Sequence, residues 1–153
     1  MIDINARIKQ AEREGDDFTT GTPASAKSIE RLEVLLSKKF PESYKKFLSE
    51  YGYIGVEVQG RFIEGIFDDN PEGEGGIYHS TLEMRKWMSE HYETQPYLWA
   101  IQLHEDGAYC INTEIVMPNN EFAIVNYEPY LPKETFREVL AGSFEEFLDK
   151  WFF

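Results

Sequence analysis

The chain is poor in the residues that most catalytic and metal centres need. Its single cysteine, Cys110, has no partner for an internal disulfide, and the alternating apolar pattern around it points to a buried, inert thiol. The three histidines, His79, His91 and His104, lie 12 and 13 residues apart, without the i, i+4 pair or short spacings that bring imidazoles onto one metal ion. No histidine adjoins Cys110, so a catalytic thiol would depend on a distant partner. No apolar run approaches the roughly 20 residues that span a bilayer as a helix. The first fifteen residues mix Asp3, Arg7, Lys9 and Glu12 with few apolar positions, unlike a secretory leader. These absences lead us to expect a cytoplasmic protein that is not an enzyme, with no cofactor and no metal.

Cations are the other scarcity. Against 28 Asp and Glu stand 15 Lys and Arg, a net charge of −13. Residues 1–50 carry nine of each sign, whereas residues 51–153 carry six basic and nineteen acidic side chains, so the whole excess lies in the C-terminal two thirds. Such a surface repels phosphate backbones and anionic lipid heads and favours a basic partner, although acidity by itself also serves solubility.

The acids are densest in Asp68-Asp69-Asn70-Pro71-Glu72-Gly73-Glu74-Gly75-Gly76, which reads as a flexible exposed loop. Its glycines do not form a phosphate cradle, because the flanking carboxylates have the wrong sign and no P-loop lysine follows. Asp68, Asp69 and Asn70 offer oxygen ligands, but the spaced ligands and terminal glutamate of an EF-hand are missing. A solvated or protein-binding loop fits the pattern better.

What is present is enough for a core. Aromatics make up 15% of the 153 residues, and a chain of this length fits one domain, burying roughly two thirds of its unfolded surface. Ile4, Ile8 and Ala11 predict a short amphipathic helix capped by Asp3 and ended by Gly15, with Asp16 to Thr22 as a loop. Ser25 is an N-cap for a second helix ending near Lys39, with Ile29, Leu32, Leu35 and Leu36 on one face and Lys27, Glu30, Arg31 and Glu33 elsewhere. Pro41 suits the first position of a third helix, Tyr44, Phe47, Leu48 and Tyr51 line one face of it, and Gly52 supplies the stop.

These residues resemble the SUKH superfamily, which includes the Smi/Knr-type cell-wall regulators of fungi and many bacterial immunity proteins. The opening matches at Pro23-Ala24-Ser25, Ile29, Leu32-Glu33, Phe40-Pro41, Tyr44-Lys45, Phe47-Leu48 and Gly52. Phe40 stands where leucine is usual, and Tyr51 where asparagine is common. Ala141-Gly142-Ser143-Phe144-Glu145-Glu146-Phe147-Leu148 is similar to the family's closing helix, while the middle is only loosely similar. On this resemblance residues 1–153 form one SUKH-like domain, with 1–22 a helix and loop and 23–153 the family-like core.

Between the helical ends the period becomes two. Ile54, Val56 and Val58 read as one strand and Phe62 to Phe67 as another. Ser80 or Thr81 would cap a helix holding Leu82, Met84, Trp87, Met88 and His91. Trp99, Ile101 and Leu103 alternate, Asp106-Gly107 reads as a two-residue hairpin turn, Tyr109 and Ile111 return, and Asn119-Asn120 turns again before Phe122 and Ile124. Ser143-x-x-Glu146 is a capping box for a last helix facing inward with Phe144, Phe147, Leu148 and Trp151. The expectation is an α+β domain, a mainly antiparallel sheet flanked by N- and C-terminal helices, with one sheet face left for solvent or a partner.

For function, the resemblance implies an immunity protein that binds and occludes a cognate, nuclease-type toxin. An acidic partner for a basic, nucleic-acid-binding groove is also what the charge favours. The candidate protein-binding residues are Glu57, Glu64, Asp68, Asp69, Glu72, Glu74, Glu105 and Asp106, with Tyr53, Tyr78 and Tyr109 as aromatic anchors. The partner expected is a toxin with a basic surface, with no direct nucleic acid or membrane contact, and the chain itself is a monomer or weak homodimer. The alternative is a non-catalytic regulatory module of the Smi/Knr type. A small-molecule enzyme would instead need a deep pocket converging on His79, His91, His104 or Cys110.

Overall fold

The computed structural model describes residues 2–90 and 95–153. Helix α1 (Ile4–Arg13) begins where Asp3 accepts a hydrogen bond from the Ala6 N–H at 3.0 Å. The stretch after it is not a plain loop. Phe18–Thr20 form strand β1, which pairs antiparallel with β2 (Ile54–Val56), and β2 pairs with β3 (Arg61–Ile63). A three-residue strand with one apolar side chain, Phe18, carries too little alternation to be seen in sequence, and its partner lies more than thirty residues away.

Helix α2 (Ala26–Leu36) starts on Ser25, whose hydroxyl accepts from the Ser28 N–H at 3.2 Å, and stops at Ser37 in a left-handed conformation, short of Lys39. Glu33 is buried rather than on an outer face. Its carboxylate accepts the Phe40 N–H at 2.7 Å and so fixes the α2–α3 link. Pro41 is the N-cap of α3 (Glu42–Tyr51) rather than its first residue. Tyr44, Phe47 and Leu48 are buried on α3 as expected, and Tyr51 is half-buried. Strand β2 ends before Val58, which is 88% exposed on a 3-10 turn and does not share the inward face of Ile54 and Val56.

Helix α4 (Ile77–Ser89) begins after Gly76, so Ser80 and Thr81 are not caps. Both are buried within the helix, where the Thr81 hydroxyl accepts the Ala100 N–H at 3.0 Å. His91, assigned to this helix from sequence, lies outside the described residues. A second antiparallel sheet follows, in the order β4 (Leu98–His104), β5 (Gly107–Val116), β6 (Phe122–Tyr127), with Asn120 left-handed in the second turn. The first turn is Glu105-Asp106, one residue before the expected position. Gly107 opens β5, and a Cβ there would overlap the Tyr127 carbonyl oxygen, so the glycine serves close strand approach rather than the turn.

β4 carries a bulge between Ala100 and Gln102, and this changes its parity. Trp99 and Ile101 join the main core under α2, α3 and the C-terminal helix, while Leu103 falls with Leu98 and Ala100 on the other face. That face is covered, contrary to the expectation of an open one. Met84 and Met88 of α4 and Phe136 of a 3-10 turn pack with Ala108, Cys110, Val125 and Tyr127 to close a second core. The bulge also frees the Ile101 carbonyl, which accepts the Glu64 N–H at 2.7 Å and ties the two sheets together.

Ser143 caps α5 (Phe144–Phe147) by accepting the Glu146 N–H at 3.1 Å, and the Glu146 carboxylate returns to the Gly142 N–H at 2.7 Å, one residue before the cap. The chain then widens into an i to i+5 turn over Leu148–Phe152. The register slips by one, so Phe152 is buried and Trp151, expected inside, is 49% exposed. The N-terminal segment closes onto this end through the Arg7–Asp149 ion pair and the rings of Phe18, Phe152 and Phe153.

Candidate functional site

Two glycines make room for the site. On β2, Ile54 and Val56 point into the core, and alternation sends Tyr53 and Gly55 to the other face. The Tyr53 ring occupies the space a Cβ at Gly21 would take, and Phe62, opposite Gly55 across the β2–β3 pair, lies over that glycine in the same way. Phe67 stacks on Tyr53 with centroids 5.1 Å apart and 20° between ring planes. With Glu57, Ile63, Glu64 and Gly75 these rings line a cleft of about 320 Å³. Beneath it the backbone crosses itself closely: Gly52 accepts the Ile66 N–H at 3.0 Å, and a Cβ at Gly65 would overlap the Gly52 carbonyl oxygen.

Glu64 is held firmly. Its N–H donates to Ile101 and its carbonyl accepts the Tyr44 hydroxyl at 2.6 Å, while the half-buried carboxyl takes a hydrogen bond from Ser80. Burial pushes this carboxyl up to about 7, and the Ser80 bond offsets part of the rise. The folded state therefore binds this proton more tightly than the unfolded chain, whose glutamates titrate near ~4.3. The resulting stabilisation is complete below that value and lost as pH rises through about 7. Glu64→Gln should flatten this part of the profile, so that the variant gains on the wild type between pH 4 and 8 by at most about 3 kcal/mol, less what residual solvent screens. Urea denaturation of both proteins across that range checks it; parallel profiles would show that Glu64 titrates as an ordinary surface acid.

The remaining candidates fall into two groups. The acidic loop leaves the cleft wall at Phe67 and returns at Gly75, so it borders the cleft. It is exposed but tied down. Asp68 and Asp69 are both left-handed, with φ 52° and 54°, and the Asp69 carboxylate accepts the Ser25 N–H at 2.9 Å and the Ser25 hydroxyl at 3.2 Å. The Ser25 N–H foremost, then the Ser28 and Ser25 hydroxyls, hold Asp69 below the usual carboxylate range. Glu72 pairs with Arg31 at 2.9 Å. Among the described residues the side chains of Glu57, Asp68 and Glu74 make no ion pair. The second group is the hairpin tip, where Glu105 and Asp106 are exposed and Tyr109 packs against His104, Phe147 and Trp151 at 4.7, 5.3 and 6.4 Å. Tyr78 is half-buried on α4 against the main core.

Of the eleven candidates, the structure thus places Tyr53, Glu57 and Glu64 in one cleft, Asp68 to Glu74 beside it, and Glu105, Asp106 and Tyr109 on a hairpin. Phe62, Phe67 and Gly75 are cleft residues that the sequence reading passed over. The strand expected over Phe62 to Phe67 ends at Ile63, so Phe67 lies beyond it, and the Gly55 that faces Phe62 is the one sign in the sequence that this ring turns outward. His79 is exposed beside Glu83 at 3.9 Å, and His104 bonds Asn126 at 2.7 Å. Cys110 is fully buried, which pushes its thiol up. No group of three or more His, Cys, Asp or Glu among the described residues could share a metal ion.

The architecture is that of an α+β domain with two small antiparallel sheets and an aromatic, acidic cleft on the outer face of the smaller strands. A family model of the SUKH group, described as SMI1-KNR4 cell-wall, matches residues 4–153, and the chain belongs to this family. The match runs through the middle that reads only loosely similar by motif. Membership accords with an immunity-protein or Smi/Knr-type interaction module, in a family generally without catalytic activity. No helix of the described residues is long and apolar enough to cross a membrane.

Proposed function

We propose that this protein is an immunity protein: it binds a cognate toxin, of nuclease type, in the cytoplasm and occludes the toxin's active site without catalysis of its own. The observation that carries the reading is the placement of charge. The entire acidic excess lies after residue 50, in a chain of this family, and part of it rings an aromatic cleft. A nuclease presents a positive groove to its polyanionic substrate, and a negative surface both speeds encounter with that groove and competes for it. Glu57, Glu64, Asp68 and Glu74 face the partner around the cleft, while Asp69 and Glu72 hold the loop in shape for them. Glu105, Asp106 and Tyr109 extend the contact at the hairpin tip. The chain acts as one unit, 1–153, and as a monomer or weak homodimer.

Co-expression with the toxin encoded beside its own gene tests this. Growth should be restored by the wild-type chain, and continued toxicity with folded protein present would remove the immunity reading. The family description as cell-wall favours the second reading, a regulatory module of the Smi/Knr type. A locus without a toxin neighbour, with a host protein co-purifying, would move the conclusion there.

A further inference from the structure

Three aromatic rings and two carboxylates border the same small cleft. Tyr53 and Phe67 are stacked, Phe62 lies over Gly55, Glu57 is exposed at the rim, and Glu64 is half-buried. We propose that this cleft is a socket for a single arginine side chain on the surface of a protein partner, the guanidinium lying against the rings and pairing with Glu64 and Glu57. This rests on the reading that the partner is a basic protein, and it names the group by which that protein is gripped.

Each property of the cleft selects this guest. Ring faces attract cations, and a planar, weakly hydrated guanidinium can stack on a ring while forking two hydrogen bonds to a carboxylate, which a compact ammonium does less well. The volume, about 320 Å³, lies at the low end of ligand pockets, which run from roughly 300 to 1,000 Å³, and suits one side chain better than a larger ligand. Anions are rejected by Glu57, Glu64 and the adjoining acidic loop. A neutral apolar guest would bury the Glu64 carboxylate further without a counter-charge. No lysine or arginine among the described residues pairs with Glu64, and its burial has already raised its proton affinity, so an incoming guanidinium supplies the missing positive charge. The main chain at Glu64 is fixed, since both its backbone polar groups are bonded to neighbouring elements, and Ser80 holds the carboxyl.

The probes are N-acetyl-arginine amide, its lysine counterpart and its neutral citrulline counterpart, each titrated into the isotope-labelled full chain and followed by amide chemical shifts. The expected result is saturable binding of the arginine probe at about millimolar Kd, with shifts concentrated at residues 53–57, 62–67 and 75, weaker binding of lysine and none of citrulline. Glu64→Gln should weaken the arginine probe at least about tenfold, as should Tyr53→Ala with its native circular dichroism retained, while Glu134→Lys with Glu138→Lys, exposed acids outside the cleft lining, should leave it unchanged. Equal response to citrulline, shifts spread over the whole acidic surface, or undiminished binding by Glu64→Gln would overturn the socket. Arginine binding without rescue from the toxin keeps the socket and removes the immunity reading. Rescue without arginine-specific shifts does the reverse.

Discussion

Replacing Phe47 or Phe147 by alanine is expected to cost roughly 3 to 5 kcal/mol of folding stability. Phe47 is 1% exposed and Phe147 is fully buried, and both belong to the main core. Phe47 meets Tyr44, Tyr51 and Phe144 with centroids 5.8, 6.1 and 5.1 Å away, and Phe147 meets Tyr109. Truncation removes the transfer energy of the ring and leaves a cavity that the interlocked neighbours cannot collapse to fill. The better helix propensity of alanine returns only a few tenths of a kcal/mol. Urea denaturation should show a large drop in midpoint with little change in slope. An unchanged midpoint would mean that the helix faces are wrongly assigned. Trp151→Ala, on the half-exposed side of the terminal turn, provides the contrast and should cost much less.

The legible parts of the fold were those where local chemistry and tertiary packing agree. Ser25, Asp3 and Ser143 cap helices because an oxygen at that position satisfies a free N–H, wherever the helix later packs. The same applies to the inward faces of Tyr44, Phe47, Leu48, Phe144 and Phe147. Signals failed where a distant partner decides. Ser80 and Thr81 have the chemistry of caps, yet Gly65 and Gly76 bring the chain close enough for α4 to start earlier, and both hydroxyls are used to bond Glu64 and β4. The bulge at Ile101 is invisible in an alternating string of apolar residues, although it reverses which face Leu103 occupies. The wide final turn likewise exchanges Trp151 for Phe152 without any local mark.

The candidate site is legible in the sequence as charge and not as shape. The acids and Tyr53 are candidates from residue type and order alone, which need no coordinates. The sequence could not show that Asp69 is spent on holding Ser25, the cap of α2, that Glu72 is paired, or that Phe62 and Phe67 turn outward to build a wall. Those outcomes depend on contacts across more than forty residues for Asp69 and Glu72.

The charge nevertheless yields the second large effect. Reversing Glu57, Asp68 and Glu74 to lysine changes six units of charge around the cleft while sparing the carboxylates that hold the loop. Folding should change little, since exposed acids without partners contribute little to stability. Association with the cognate toxin should slow by about 10- to 1,000-fold at low salt, the range over which electrostatic steering acts. Salt should reproduce part of the effect in the wild type, because raising ionic strength from about 0.01 to 1 M shortens the screening length from about 30 to 3 Å.

Stopped-flow association of purified toxin with wild-type and triply reversed protein, each at low and high salt, is therefore the most direct measurement. A negatively charged docking face predicts fast wild-type association that falls steeply with salt, and slower association of the variant that falls less steeply. Rates indifferent both to salt and to the three reversals would contradict it.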